Sequence, residues 1–318
     1  MTSAAGEPSE RDAARVVARA LGATAVEVRR FPTGLAHHVF DVRTGDGRLV
    51  VVRLTRPDLR RLHDGCLHWH RALRPLGVPL PELLFSDDGA AFRFPVVVLE
   101  RLPGRDLSDV YAGLSADERQ ALAGRIVAIQ ATVGALPRAR GYGYATTRDD
   151  VTLRPTWITV LADELARSRR RLAAAGRIDP AIIDGVEGLV GSHAGYFARV
   201  EPVPFLDDLT TKNVIVHDGR LSGIVDVDMV CYGDPLRTPA LTRVALASLG
   251  HDSDYVDHWL RLLAPSPEQA RAFSIYTAMY CVDLLSEIGH RFNQAEPVAI
   301  DRARLDRLLD LLRVASSE

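Results

Sequence analysis

The stretch Phe205–Pro235, FLDDLTTKNVIVHDGRLSGIVDVDMVCYGDP, decides how the rest of this chain is read. Its centre is a β-hairpin by local chemistry. Asn213 to His217 is apolar and β-branched, Asp218-Gly219 is a two-residue turn signal, and Arg220 to Asp226 returns as a second strand. A two-residue turn sets His217 opposite Arg220, Val214 opposite Gly223 and Asn213 opposite Ile224. Asp226 then falls two residues past the partner of Asn213, on the same face of the ribbon. Such diagonal neighbours are about 7–8 Å apart, so an amide and a carboxylate are expected to grip one metal ion from either side. A one-residue slip would put them on opposite faces.

Ahead of the hairpin runs Asp207-Asp208-Leu209-Thr210-Thr211-Lys212-Asn213. An Asp five residues before an Asn, followed after a hairpin by a second Asp, suits magnesium-dependent phosphoryl transfer. One carboxylate orients the attacking hydroxyl and takes its proton, while Asn213 and Asp226 hold Mg²⁺ against the phosphates. The same residues also suit the turns and caps of a plain surface hairpin.

Length and composition bound the answer. The 318 residues allow two lobes and a sizeable core. The 39 Lys and Arg nearly cancel the 41 Asp and Glu, so neither nucleic acid nor an anionic membrane is an expected partner. Cys66, Cys231 and Cys281 are scattered without ligand spacing, which fits a reduced cytoplasm. The polar N-terminus does not read as a signal peptide, and runs such as Pro95 to Leu99 are too short to span a bilayer. There is no G-x4-G-K-[ST], no G-x-G-x-x-G after a strand, no G-x-S-x-G and no H-E-x-x-H. A cytoplasmic protein, monomer or homodimer, is expected.

The first third is rich in strand signals: Ala25 to Phe31, Val39 to Arg43, Leu49 to Leu54, Leu84-Phe85 and Phe94 to Glu100, preceded by a helix capped at Ser9 and stopped at Gly22. The loop Pro32 to His38 carries one glycine and suits either a nucleotide cover or an ordinary hairpin. Arg53 ends the apolar run Leu49-Val50-Val51-Val52, and a cation there needs an anionic partner, whether a structural carboxylate or the phosphates of a nucleotide. Residues 58–74 read as a helix. Arg101 to Leu107 marks the change from strands to helices, giving lobes 1–101 and 102–318. Beyond it the spacing predicts helices from Ser115 (with Glu118 in a capping box), over Trp157–Ala175, Asp179–Val200, Leu236–Leu249, Asp252–Leu263, Pro267–His290 and Pro297–Ala315. Pro137 to Pro155 reads as loop.

Taken in order, these pieces resemble the aminoglycoside phosphotransferase family, over roughly residues 25–290. Val50-Val51-Val52-Arg53-Leu54 resembles the strand with the phosphate-binding cation, and Gly77-Val78-Pro79-Leu80-Pro81 the turn after the first-lobe helix. Val97-Val98-Leu99-Glu100-Arg101-Leu102-Pro103-Gly104 resembles the hinge, Asp208-Leu209-Thr210-Thr211-Lys212-Asn213-Val214 the catalytic loop, and Gly223-Ile224-Val225-Asp226 with Tyr232-Gly233-Asp234-Pro235 the metal segment. The resemblance implies an α+β, bilobal protein-kinase-like fold with an antiparallel-sheet N-lobe and a mainly helical C-lobe. It implies ATP or GTP as phosphate donor, Mg²⁺ as cofactor, and a small-molecule hydroxyl as acceptor. Asp208 would be the catalytic base; Asn213 and Asp226 would bind the metal. Thr33, Gly34, Leu35 and Ala36 would cover the nucleotide, Arg53 would neutralise its phosphates, and the backbone around Glu100 and Leu102 would hold the purine. Asp234 reads more simply as the cap of the next helix.

The chain departs from that pattern in three places. Leu206-Asp207 stands where His-Gly is usual, so altered loop packing is expected and Asp207 competes with Asp208 for the catalytic role. Arg53 replaces the commoner Lys. The acidic residue expected to orient that cation aligns with Cys66, with Asp64 the nearest carboxylate. Acceptor candidates are Asp207, Asp228, Asp283 and Glu287, with Asp252, Asp254 and Asp257 further out. Asp283 and Glu287 share a helix face and call for a cation between them, either a cationic antibiotic or Arg291. The acceptor expected is an aminoglycoside-like antibiotic, the alternative a sugar, amino alcohol or nucleoside metabolite. A nucleotide-binding module without catalysis is the remaining reading.

Overall fold

The computed structural model describes residues 7–31, 36–292, 296–299 and 301–317. Ser9 caps α1 (Glu10–Leu21) and shares a capping box with Asp12; Gly22 ends the helix with a left-handed φ of 63°. Then come β1 (Ala25–Arg30), β2 (His37–Thr44), β3 (Leu49–Thr55), α2 (Arg60–Leu73), β4 (Leu83–Asp87) and β5 (Val96–Glu100). The strands form one antiparallel sheet in the order β1-β2-β3-β5-β4. Alternation along β2 and β3 sends Phe40, Val42, Val50, Val52 and Leu54 to one face, where they meet Val96, Val98 and Ala13, Val16 and Val17 of α1. Arg53 therefore points from the opposite face, towards the helical part of the chain.

That part contains β6 (Arg105–Asp106), α3 (Leu107–Val110), α4 (Ala116–Gly134), β7 (Gly143–Ala145), α5 (Trp157–Ala175), α6 (Ile182–Ser192) and α7 (Ala194–Phe197). It continues through β8 (Val203–Phe205), β9 (Val214–His217), β10 (Arg220–Ile224), β11 (Val230–Gly233), α8 (Arg237–Leu249), α9 (Asp254–Leu263), α10 (Pro267–Ser286) and α11 (Arg302–Ser317). The architecture is α+β, an antiparallel sheet followed by a mainly helical region. Among the described residues no helix is long and apolar enough to cross a membrane. The capping box of Ser115 with Glu118 forms as read, and Leu122, Ile126, Ile129 and Val133 are buried.

Several expectations are corrected. The helix expected over 179–200 is two, α6 and α7, broken at His193; Gly185, Gly188 and Gly191 lower helix propensity just before the break. The stretch 137–155 is not all loop, because β7 joins a small sheet in the order β7-β11-β8. β7 and β8 have three residues each, too few to show alternation in sequence, and their partners are distant in the chain. α10 stops at Ser286, short of His290.

Although α2 lies within the strand-rich third, its inner face belongs to the larger, helical core. Trp69 and Leu73, with Val78 and Leu80 beyond, pack there, and Trp69 Nε1 donates to Ala145 O (2.8 Å). The approach is tightest at Gly65, where a Cβ would lie 2.2 Å from the carbonyl oxygen of Asp228. Gly65→Ala brings a helix-propensity gain of about 0.8–1.0 kcal/mol, but the collision is with backbone and cannot relax by rotation. A net loss of about 1–3 kcal/mol is expected, read as a lower denaturant midpoint. An unchanged or raised midpoint would mean that α2 is not seated this way.

Candidate active site

The turn Asp218-Gly219 has φ of 47° and 71°, the positive pair of a type I′ hairpin. His217 pairs with Arg220 as expected and Leu221 with Val216, but beyond them the register shifts. Gly223 lies opposite Ile215 and Ile224 opposite Val214, so the expected pairs Val214–Gly223 and Asn213–Ile224 are each off by one. Ser222 is the extra residue of a bulge. Its cause is tertiary. Ile224 N–H donates to Pro79 O (2.9 Å), and a Cβ on Gly223 would lie 2.5 Å from that oxygen and 2.7 Å from Leu102 Cδ1. The slip would turn Asp226 away, were it still on the strand. Instead β10 ends at Ile224, Val225 N–H donates to Asn213 O (2.9 Å) and Asp226 takes a left-handed φ of 63°.

The loop before β9 is held from below. Leu206 is buried, and its backbone is fixed by Gln130, which donates from Nε2 to Leu206 O (2.7 Å) and accepts from Leu206 N–H (3.0 Å). Thr238 Oγ1 also donates to Leu206 O (3.0 Å). Asp207 turns inward: it accepts from the hydroxyl of Tyr144 and from that of Tyr280 (2.9 and 3.0 Å), and lies 3.7 Å from Arg237 Nε. Arg237, itself buried, also pairs with Glu164 (2.8 Å). Asp207 is thus fully engaged inside the protein.

Asp208, its neighbour, is exposed. Thr210 Oγ1 donates to its Oδ1 (3.0 Å), and Asn213 Nδ2 donates to its backbone carbonyl (2.9 Å). That bond turns the Asn213 amide so that its oxygen remains for another ligand. Protein crowds the Asp208 carboxyl on its remaining sides and pushes its pKa up to about 7; the Asp226 charge adds to the rise, and the Thr210 bond opposes it. Asn213 Oδ1 and the half-exposed Asp226 carboxylate are hard oxygen donors, a donor type that fits Mg²⁺.

Arg53 is buried and reaches across from β3. Its Nη2 donates to Asp226 Oδ1 (2.7 Å) and to both oxygens of Asp228 (2.9 Å each), and Nη1 lies 3.4 Å from Cys66 Sγ. No carboxylate of α2 joins it: Asp64 points to solvent beside Arg60 and His63. His37 Nε2 lies 2.6 Å from Asp228 Oδ2, and its Nδ1 lies 2.8 Å from Thr55 Oγ1. Burial alone would raise the Asp228 carboxyl, but Arg53 and His37 outweigh it and hold it well below the usual carboxylate range. His37, Asp226 and Asp228 place ligand atoms within 4.8 Å of one another. Because Arg53 already engages both carboxylates, the cluster is a salt bridge rather than a second metal centre. Sequence reading missed His37, which it left in the loop Pro32 to His38, whereas β2 already begins at His37.

The other candidates fall as follows. Thr33, Gly34 and Leu35 lie outside the described residues, and Ala36 is half-buried beside His37. Glu100 N–H donates to Glu82 O (2.9 Å) and its carboxylate accepts from Glu82 N–H (3.0 Å). Leu102 is half-buried against Gly223. Asp283 is bound by Arg167 (3.1 Å), Ser168 (3.1 Å) and Arg171 (3.5 Å), so its cations come from α5. Burial first, then Asp283, pushes Glu287 upward. Asp252 and Asp254 pair with Arg119, and Asp257 with Arg243. Asp234 accepts from Leu236 N–H (3.1 Å), Tyr196 (2.7 Å) and Tyr276 (2.9 Å). It is not the N-cap expected of it: α8 starts at Arg237 with Leu236 as its N-cap, and Asp234 instead fixes the turn ahead of the helix. Lys212, the only lysine in the chain, is exposed one residue before Asn213.

Residues 27–238 match the model of the phosphotransferase enzyme family known as APH. By sequence, no curated protein matches. Among solved structures, the apo form of a thermostable mutant of aminoglycoside phosphotransferase APH(4)-Ia is similar at 17% identity, with 96% of each chain covered and a TM-score of 0.64. ADP-bound APH(2'')-Ib is similar at 15% identity, covering 98% of this chain and 99% of its own, TM-score 0.64. A candidate fructosamine-3-kinase from Thermobifida fusca YX-ER1 is similar at 19% identity, covering 96% and 98%, TM-score 0.62. With the family match spanning more than half of its length, the chain belongs to the APH phosphotransferase family.

Proposed function

We propose that the protein moves the γ-phosphoryl group of Mg-ATP, or of GTP, to a hydroxyl of a small molecule, an aminoglycoside-like antibiotic being the first acceptor class to test. Residues 1–101 would carry the nucleotide and 102–318 the acceptor. What supports this reading is the linkage of Asp208, Asn213 and Asp226 through the backbone and through charge. Asn213 is tied to the Asp208 carbonyl and to Val225, and the Asp226 charge raises Asp208.

Asp208 hydrogen-bonds the acceptor hydroxyl, turns its lone pair towards the γ-phosphorus and takes its proton as the O–P bond forms, while the bond from that phosphorus to the β,γ-bridging oxygen breaks and the nucleoside diphosphate leaves with its electron pair. Asn213 Oδ1 and Asp226 would hold Mg²⁺, which when bound would neutralise phosphate charge. Arg53 offers its remaining N–H groups to the donor's phosphates. Thr33 to Ala36 cover them, and the backbone from Glu100 to Leu102 meets the purine. Asp207 keeps the loop rigid under Asp208 and takes no proton.

A second acceptor reading has its own support. Asp283, the carboxylate best placed on α10 to attract a polycation, is neutralised by Arg167 and Arg171. That favours an acceptor with little positive charge, such as a sugar, amino alcohol or nucleoside. ATP turnover measured over a panel of aminoglycosides, macrolides and metabolites separates the two. Stimulation by uncharged sugars alone would end the antibiotic reading.

Asp208→Ala is expected to lower kcat by about 10²–10⁴-fold while nucleotide affinity changes little. Surviving transfer would remove Asp208 as the base. The raised carboxyl also sets a stability trend in the metal-free protein. The folded state keeps this proton up to about pH 7, whereas the unfolded chain loses it near 3.8, so stability falls as pH rises between those values. Asp208→Asn is therefore expected to melt higher than the parent at pH 8 without Mg²⁺, the advantage shrinking towards pH 4. Equal melting temperatures at pH 8 would mean that the carboxyl is not strained.

A further inference from the structure

We propose that Asp228, steadied by His37, is the carboxylate that orients Arg53 for the nucleotide's phosphates, taking the place of an acid on α2. This rests on the phosphotransferase reading above. At position 66, where such an acid aligns, α2 carries Cys66, buried and with its thiol pushed up to about 12 by burial, so it brings no negative charge. The distance is nonetheless short, 3.4 Å from Sγ to Arg53 Nη1. α2 comes this close because Gly65 rests on the Asp228 carbonyl. The segment carrying Asp228 is thereby pressed against the site that an α2 side chain would otherwise fill.

The two carboxylates on Arg53 differ in kind. The Asp226 side chain is 46% exposed and meets Arg53 through one oxygen, leaving the other free. That of Asp228 is 11% exposed, places both oxygens 2.9 Å from Arg53 Nη2 and has its outer lone pair closed by His37. A carboxylate only accepts, so His37 Nε2 carries the proton in that contact. Its other nitrogen rests on Thr55, two residues along β3 from Arg53 and paired with His37 across the ladder. The ring of contacts Arg53–Asp228–His37–Thr55 thus returns to the strand it started from and fixes the guanidinium on two sides. Asp226 is left to turn to a metal without releasing Arg53. Asp228 and His37 are positioning residues, acting on the phosphates through Arg53.

The test compares the parent with Asp228→Asn, His37→Gln and Cys66→Asp, and with the Asp228→Asn/Cys66→Asp double variant. Affinity for ADP without and with Mg²⁺ is read by calorimetry, beside KM for ATP and kcat. If the parent binds no nucleotide, the phosphotransferase reading itself fails. Given binding by the parent, Asp228→Asn is expected to weaken ADP about tenfold even without Mg²⁺ and to raise KM for ATP similarly, with a smaller change in kcat. His37→Gln, a gentler change that keeps a donor, should move the same quantities about two- to threefold. The double variant is expected to recover most of the lost affinity, because an acid at 66 lies within reach of Nη1, and such non-additivity marks a shared partner. The inference is overturned if folded Asp228→Asn and His37→Gln bind ADP as the parent does. It is also overturned if Asp228→Asn loses affinity only in the presence of Mg²⁺, which would make Asp228 a metal ligand. Failure of Cys66→Asp to restore any affinity in the double variant, with the protein folded, counts against it as well.

Discussion

A guanidinium set in the middle of a strand must find anions, and the arrangement of this molecule follows from where Arg53 finds them. Removing its charge from water is tolerable only because three carboxylate oxygens meet one nitrogen. Those oxygens belong to residues 226 and 228, far along the chain, so the sheet and the helical region are joined at the point where phosphate would be handled. Taking away one partner of such a buried pair typically costs about 3–5 kcal/mol. The geometry of the cleft is therefore tied to the stability of the whole. Shape permits it as much as charge does, since Gly65 lets α2 close on the same segment.

A second ionic knot lies directly under the loop. Arg237 gathers Glu164, Asp207 and two tyrosine hydroxyls in the interior. Asp207 and Asp208 are adjacent and chemically identical, yet one is consumed by this knot and the other is left at the cleft with its proton held tightly. The difference is made by the residues around them: Tyr144, Tyr280 and Arg237 meet Asp207 inside the protein, while Thr210 and the Asp226 charge act on Asp208.

Much of this was legible in the chain. The turn Asp218-Gly219, the cap at Ser9, the capping box at Ser115 and the strand signals Val39 to Arg43 and Leu49 to Leu54 depend on neighbours a few residues away, and they came out as read. What escaped was decided at a distance. The bulge at Ser222 exists because Pro79 takes the Ile224 N–H, and no pattern within the hairpin announces that. β7 and β8 are strands only because β11 lies between them. The partners of Arg53 were left open between a structural acid and phosphate, and the carboxylates that meet it, Asp226 and Asp228 with His37 behind the latter, come from segments that sequence spacing cannot bring together. The loop residues Thr33, Gly34 and Leu35 stay outside what the structure describes.

Lys212 has a practical consequence of its own. In a chain that uses arginine almost everywhere else for positive charge, amine-selective acylating dyes or cross-linkers find a single side-chain target besides the α-amino group, and it stands exposed between Asp208 and Asn213. Covalent tagging with such reagents addresses this loop without any engineered handle, so its accessibility becomes a built-in reporter of whatever comes to rest against it.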